Sequence, residues 1–184
     1  MYILITGAAG SGTSTLGYEL SEELSVRHIE ADDYFWHPTD PPYQQRVAAE
    51  PRCALMLADL RAAPDAVVSG SVMDWGRELE DIFDLVVFLY VPSDIRLARL
   101  KRREEQRFGV ARPEFLAWAA QYDSGTEPGR SLRRHREWLE QRQCEVLRLE
   151  GDLSRESRVG AVVEKLGRAV GTKAPHRSLT ASGG

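Results

Sequence analysis

Cysteine is scarce in this 184-residue chain: Cys53 and Cys144 lie far apart and outside any CxxC pattern. This argues against a disulfide framework or a cysteine zinc site and favours a reducing cytoplasm as the compartment. The four histidines likewise show no spacing typical of metal ligands. No apolar run approaches the length of a membrane span, and the apolar start lacks the basic region of a signal peptide.

An excess of positive charge is also lacking, since the formal net charge is -4. The protein as a whole is therefore not typical of nucleic-acid binders. The composition, 42% hydrophobic and 28% charged, is that of an ordinary globular protein. The length fits a single α/β domain, which we place at residues 1–170, followed by a small polar tail at 171–184 that we expect to be flexible.

Five apolar runs predict strands that alternate with helices. The predicted strands cover residues 2–6, 28–31, 66–69, 84–91 and 145–149. The predicted helices cover 13–24, 43–62, 94–107 and 131–142, with another beginning at Pro113 and a last one carrying the apolar stripe from Val159 to Val170. Ser93 is expected to cap the helix that follows it. The alternation predicts a three-layer α/β sandwich with a five-stranded parallel sheet, whose ligands bind at the carboxyl ends of the strands.

A glycine-rich loop joins the first strand to the first helix with the spacing G-x-x-x-x-G-x-S. Its glycines permit unusual backbone conformations, so that backbone N–H groups and the helix N-terminus can bind a phosphate. Ser14 stands where the hydroxyl ligand to Mg²⁺ belongs. The residues predicted to bind the nucleotide are Gly7, Ala8, Ala9, Gly10, Ser11, Gly12, Thr13, Ser14 and Thr15.

Thr13 occupies the position at which this motif has a lysine that reaches the β and γ phosphates. Threonine can donate a hydrogen bond but brings no charge. Residues 96–112 hold seven basic residues against two acidic ones, and arginine forks suit phosphate oxygens. We predict an arginine-rich helical lid over about residues 101–130, with catalytic arginines Arg102, Arg103 and Arg107. The alternative is a solvated helix paired with its own glutamates.

An acidic pair, Asp32 and Asp33, follows the second strand. A carboxylate there can accept the proton of an attacking hydroxyl or orient a metal-bound water. Asp33 is the predicted catalytic residue of the pair, and Asp32 is predicted to contact the substrate. Other residues predicted to line the acceptor pocket are Tyr34, Trp36, Asp74 and Trp75. The alternatives are a turn capped by the aspartates and tryptophans that belong to the core.

With these features placed, the chain resembles the P-loop kinases of the adenylate kinase and small-molecule kinase group. The variant loop GAAGSGTST also resembles phosphate loops of some cytidylate-kinase-like proteins. The resemblance implies a P-loop kinase fold, ATP (or GTP) and Mg²⁺ as cofactors, and phosphoryl transfer to a nucleoside, nucleotide or other metabolite. It also implies that the lid arginines clamp the phosphoryl group, that Asp33 is the acceptor base, and that residues 150–152 lie near the adenine.

The chain departs from that group at the end of the third strand, where Ser69-Gly70-Ser71 replaces an acidic residue. Two other functions therefore stay open. One is a nucleotide-binding regulator that has lost catalysis together with its lysine. The other is a nucleic-acid-directed kinase or ATPase that uses the basic clusters at 96–112 and 130–142. The sequence leaves open the acceptor, the choice between ATP and GTP, and whether the protein is a monomer or a homodimer.

Overall fold

The computed structural model describes residues 1–40, 42–125 and 129–172, with side chains as far as residue 168. Its strands are β1 (Tyr2–Gly7), β2 (Arg27–Glu30), β3 (Ala66–Ser69), β4 (Leu85–Tyr90) and β5 (Glu145–Glu150). Its helices are α1 (Thr13–Leu24), α2 (Ala31–Phe35), α3 (Ala49–Arg61), α4 (Arg77–Glu80), α5 (Ser93–Phe108), α6 (Pro113–Ala120), α7 (Leu132–Glu140) and α8 (Arg155–Thr172).

The five strands form one parallel sheet in the order β2-β3-β1-β4-β5, which confirms the predicted sheet. β1 lies at the centre, with Ile3 aligned to Val67 of β3 and to Leu85 of β4. The glycine-rich loop therefore leaves the middle of the carboxyl edge. β3 separates β1 from β2, so the acidic pair after β2 begins two strands away from the loop.

Helices cover both faces of the sheet, as the prediction of three layers required. Successive side chains of β1 point to opposite faces, so Ile3 and Ile5 enter one buried cluster and Leu4 enters the other. The first cluster includes Leu16 of α1 and Val162 of α8, and the second includes helical residues of α3, α4 and α7. A strand buried on both faces explains why Ile3, Leu4 and Ile5 of β1 are apolar in succession.

The predicted helix over 43–62 is wrong in its first six residues, because α3 begins only at Ala49. Here the chain turns back on itself: the His37 amide donates to the Gln45 carbonyl (2.8 Å) and the Val47 amide donates to the Phe35 carbonyl (2.9 Å). Tyr43 has a φ of +69°, which a right-handed helix does not allow. Local backbone pairing thus outweighs helical propensity in this segment.

Other boundaries differ by less. The short helices α2 and α4, which follow β2 and β3, were not predicted. Ser93 is not a cap: Pro92 precedes the helix and Ser93 is its first residue. Ser131 does cap α7, accepting a hydrogen bond from the Arg134 amide. α8 continues through Thr172, so the predicted tail begins in helix, and its residues 173–184 lie outside the described ones, as do 126–128 of the predicted lid.

In the part of the chain that the structure describes, no helix is both long and apolar enough to cross a membrane.

Candidate active site

The loop between β1 and α1 takes a backbone path that two of its glycines require. Gly10 and Gly12 have φ values of +82° and +94°, in the left-handed region that side chains disfavour. A Cβ on Gly10 would also lie 2.7 Å from the Arg96 carbonyl oxygen. Gly12 precedes α1 without a side-chain cap, and the first turn holds no acidic residue. The N–H groups of this turn are thus available to an anion.

Ser11 stabilises the loop from inside. Its amide and its hydroxyl both donate to the Ala8 carbonyl, at 3.1 and 2.8 Å, and its side chain is fully buried. The contribution of Ser11 is therefore to the shape of the loop, while Ser14 and Thr15 are exposed in the first turn of α1. Thr13 is half-buried at the start of that helix.

Ser14 lies beside a carboxylate that is not among the predicted site residues. Its hydroxyl donates to Glu30 Oε2 at 3.2 Å, and Glu30 is the last residue of β2. β3 ends in Ser69 without an acidic side chain, and Glu30 places an acid at the same edge from the next strand. The sequence pattern gave no signal for Glu30, because only the strand order of the sheet brings it to this edge.

Glu30 belongs to a small polar network beneath the loop. His28 Nε2 lies 2.8 Å from Ser69 Oγ and 3.6 Å from Glu30 Oε1. Burial raises the pKa of Glu30, opposed by hydrogen bonds from Ser69 and Ser14. Burial likewise lowers the pKa of His28, while the charge of Asp33 acts to raise it. Desolvation therefore dominates both groups, and a cation at Ser14 would favour the ionised carboxylate.

Asp32 and Asp33 lie in the first turn of α2 and both are exposed. Their charges act on Glu30, whose pKa they help to raise. The structure therefore groups three carboxylates at the end of β2. It places the predicted base in a short helix rather than in the turn of the alternative interpretation.

The aromatic residues after β2 have separate surroundings. The Tyr34 hydroxyl donates to Asp59 of α3, and burial raises the pKa of this phenol to about 12. Trp36 packs edge-on against Phe35 at 4.9 Å and Tyr43 at 5.9 Å between ring centroids. Tyr34 is thus committed to holding α2 against α3, whereas Trp36 belongs to an aromatic cluster beyond it.

Trp75 and Asp74 follow β3 and line a groove against α3 together with Cys53. Trp75 is only 5% exposed and stacks on Phe35, so most of it belongs to the core. Asp74 is exposed, with a φ of +62°, and its Oδ2 accepts from Arg134 Nη2 at 2.8 Å.

Arg52 of α3 was missed although it lies against these aromatic rings. Its guanidinium carbon lies 4.7 Å from the ring centroids of both Phe35 and Trp75. Its Nε is buried and has no hydrogen-bond partner among the described residues. Arg46 lies 5.6 Å from the Trp36 centroid. Burial lowers the pKa of Arg52, and the charge of Arg46 lowers it further.

The predicted lid arginines are exposed on α5. Arg107 Nη1 donates to the Tyr43 hydroxyl at 3.0 Å, which joins the end of α5 to the segment that follows the acidic pair. Arg102 and Arg103 lie on the same helix. The clamping role of these three arginines stays a prediction.

Two other arginines reach the loop itself. Arg96 of α5 is fully buried; its Nη1 donates to the Ala9 carbonyl at 3.3 Å and its Nη2 to Asp123 Oδ2 at 3.0 Å. Arg158 of α8 donates through Nη1 to the Ser11 carbonyl at 2.8 Å. Nothing in their spacing distinguished them from the other arginines, since packing against the loop is a tertiary property.

The central strand, the glycine loop with its uncapped helix and the Ser14–Glu30 pair together define a P-loop kinase fold. The chain belongs to the AAA domain family, whose model matches residues 3–113.

Comparison with known proteins agrees with this assignment. The chain is 40% identical over 174 residues to the uncharacterized protein YqaC of Bacillus subtilis, covering 89% of this chain and 96% of YqaC. It is 30% identical over 124 residues to a cytidylate kinase of Haloarcula marismortui, covering 62% and 64% of the two chains. A shikimate kinase structure from Bacteroides thetaiotaomicron shares the fold, with a TM-score of 0.59 at 19% identity over 91% of this chain and 98% of that one.

Proposed function

We propose that the protein is an ATP-dependent kinase that phosphorylates a small, anionic acceptor. The observation that carries the proposal is the contact between Ser14 and Glu30 beside the phosphate loop. A carboxylate next to a site that only bound phosphate would weaken it, because like charges repel. The same carboxylate would become favourable if it and Ser14 held a divalent cation that the nucleotide brings.

The oxygens of Ser14 and Glu30 fit Mg²⁺, which takes oxygen ligands and keeps several waters. In residues 1–40, 42–125 and 129–172, no group of three His, Cys, Asp or Glu side chains could hold a metal by itself. This favours an ion that arrives with the nucleotide. When bound, Mg²⁺ neutralises charge on the phosphates.

Asp33 is the acceptor base in this proposal. The acceptor hydroxyl gives its proton to the carboxylate as its oxygen bonds to the γ-phosphorus, and the bond from that phosphorus to ADP breaks. Supporting this role, α2 begins directly after Glu30, which itself contacts the phosphate-loop helix. Arg102, Arg103 and Arg107 would stabilise the transferring group when the lid closes, and the contact of Arg107 with Tyr43 supports a closing role.

Two arginines support an acceptor with negative charge. Arg46 and Arg52 lie on the aromatic rings after β2 and β3, at the carboxyl edge where substrates bind in such sheets. The carboxylate that would most naturally neutralise them, Asp74, is held by Arg134. A phosphate or carboxylate on the acceptor would balance the charge of the Arg52 guanidinium.

A panel assay tests the proposal. Nucleosides, nucleoside monophosphates, sugars and hydroxy acids are each incubated with MgATP or MgGTP, and the phosphorylated product is identified by ³¹P NMR. We expect turnover with one class of anionic acceptor. Measurable ATP binding without turnover on any acceptor would contradict the proposal.

That negative outcome would support the second candidate, a nucleotide-binding regulator. The observation that favours it is Thr13, which leaves the loop without its own charge. It predicts tight ATP or GTP binding, no phosphoryl transfer and a protein partner.

The nucleic-acid alternative is weakened by ion pairs. Arginines of the basic clusters are engaged with carboxylates, including Arg112 with Glu104 at 2.7 Å and Arg142 with Asp81 at 2.9 Å. Oligonucleotide binding that falls steeply with salt would revive it.

A further inference from the structure

The last helix brings one arginine against the residue that precedes Thr13. Arg158 Nη1 donates to the Ser11 carbonyl at 2.8 Å and lies 3.0 Å from the place that a Cβ on Gly12 would occupy. Arg158 is only 7% exposed. Its positive charge is therefore fixed at the loop rather than extended into solvent.

This charge has no ion pair within the described part of the chain. The two carboxylates that act on Arg158, Asp152 and Glu19, are each held by another arginine. Asp152 pairs with Arg99, and Glu19 pairs with Arg155 at 3.2 Å. Burial lowers the pKa of Arg158, and the neighbouring charge of Arg99 lowers it further. A buried cation left in this state costs free energy unless an anion joins it.

Arg96 contacts the same loop and provides a comparison, because its contacts are those of a structural arginine. It is fully buried, but Asp123 balances its charge at 3.0 Å, and the carbonyls of Val91 and Ala9 accept its other donors. Arg158 touches the loop in a comparable way without such a counter-ion. This difference indicates that the anion that pairs with Arg158 is a bound ligand.

We propose that Arg158 supplies to the bound nucleotide the positive charge that Thr13 does not. It does so from α8, next to the loop position that precedes the missing lysine. The inference rests on the proposed function only in that the loop binds nucleotide phosphates. Phosphoryl transfer is not needed for it to hold.

Arg158→Gln is the first test, because glutamine can still donate to the Ser11 carbonyl but carries no charge. Arg168→Gln is the matched control, since it removes the same charge from the same helix at a side chain that is 77% exposed and pairs with Glu164, away from Arg158. Dissociation constants for ATP, AMP and adenosine are measured by calorimetry without acceptor. We expect Arg158→Gln to weaken ATP binding about tenfold or more, AMP binding less and adenosine binding not at all. Equal losses for ATP and adenosine, or an equal loss in Arg168→Gln, would overturn the inference.

A double-mutant cycle with Thr13→Lys makes the test specific for charge. In the Arg158→Gln background, Thr13→Lys should restore most of the lost ATP affinity. In the native chain it should change ATP affinity by no more than about twofold, since the charge is already present. A large gain in the native chain would show that nothing supplies the missing charge and would refute the proposal.

Arg158→Met is a second variant that keeps the inference testable if Arg158→Gln fails to fold. An apolar side chain in place of a buried unpaired charge is neutral or stabilising in many proteins. We expect a thermal midpoint at or above the native value without nucleotide, and a smaller rise of that midpoint on adding ATP. A much lower midpoint with an undiminished rise would assign Arg158 a structural role alone. Because no acceptor is present, failure of the kinase assay and failure of this inference are separate results.

Discussion

The two halves of the candidate site differ in that one is formed by backbone and the other by side chains. The proposed phosphate-binding half is one continuous segment, residues 7–15, which would bind through its backbone and whose shape depends on glycines at positive φ. The proposed acceptor half is assembled from side chains that follow β2 and β3 and from α3, which lie far apart in the sequence. A site formed by the backbone tolerates few substitutions. The specificity of a site formed by side chains can change through single substitutions.

The comparison also explains how a P-loop can lose its lysine. The backbone N–H groups and the helix N-terminus stay in place whatever residue follows Gly12. Charge, unlike backbone shape, can be delivered from any element that packs against the loop. Arg158 is placed to do so from α8, which lies outside the motif, whereas the charge of Arg96 is balanced by Asp123.

The largest expected effect separates chemistry from binding. Asp33→Asn should lower kcat about a thousandfold while leaving ATP affinity within about twofold of native, because it removes a base that acts only on the acceptor hydroxyl. Steady-state kinetics and calorimetry together measure both quantities. Asp32→Asn is the neighbouring control. If Asp32→Asn shows the larger loss of kcat, the base must be reassigned to Asp32.

The next effect tests the backbone half. Gly12→Ala should weaken ATP binding about a hundredfold, because its φ of +94° strains any other residue and its Cβ would lie 3.0 Å from Arg158 Nη1. Gly109→Ala is the matched control: its φ is +78°, but nothing lies within 4 Å of the added Cβ. It should share the strain and keep native ATP affinity. Equal losses of ATP affinity in the two variants would mean that the shape of the phosphate loop does not determine this affinity.

Much of the phosphate half could be predicted from sequence because its signal is contiguous. The spacing of Gly7, Gly12 and Ser14 between an apolar run and a helical pattern is enough to fix strand, loop and helix, and the structure confirms all three. The parallel sheet follows from the alternation of elements in the same way.

The remaining site residues could not be predicted, because their roles depend on packing. Glu30, Arg52 and Arg158 resemble any surface charge in the sequence, and only the strand order and helix docking bring them to the carboxyl edge. The misplaced start of α3 has a similar origin. Gln45 and Val47 pair with the preceding residues His37 and Phe35 through a reversal of the chain that no periodic pattern shows.

A smaller effect tests the side-chain half. Arg52→Leu should raise the KM for the acceptor about tenfold and leave the KM for ATP unchanged, since it removes a charge-assisted contact to the acceptor anion. Arg61→Gln on the same helix, where the exposed arginine pairs with Glu78, is the control. A rise in the KM for ATP instead would place Arg52 on the nucleotide side and break the division into two halves.

We expect the smallest effect on the site from substitution of His135, a buried residue that contributes to stability. His135 is fully buried, with Nδ1 2.5 Å from the Tyr122 hydroxyl and Nε2 3.4 Å from Thr6 Oγ1 on β1. Burial, reinforced by the charges of Arg130 and Arg134, lowers its pKa from 6.5 to about 3. The unfolded chain therefore binds a proton between pH 6.5 and about 3 that the folded protein does not.

This difference in proton binding makes stability depend on pH within that window. The contribution of His135 is complete above pH 6.5 and is lost as the pH falls, by about 1.4 kcal/mol per pH unit well inside the window. Urea unfolding from pH 7 to 4 measures the slope, and His135→Gln should flatten it while leaving ATP affinity at pH 7 near native. An unchanged slope in that variant would assign the acid sensitivity to the carboxylates. Altered ATP affinity at pH 7 would show that the contact of His135 with Thr6 influences the phosphate loop. The proposed phosphate-binding half would then include residues outside 7–15.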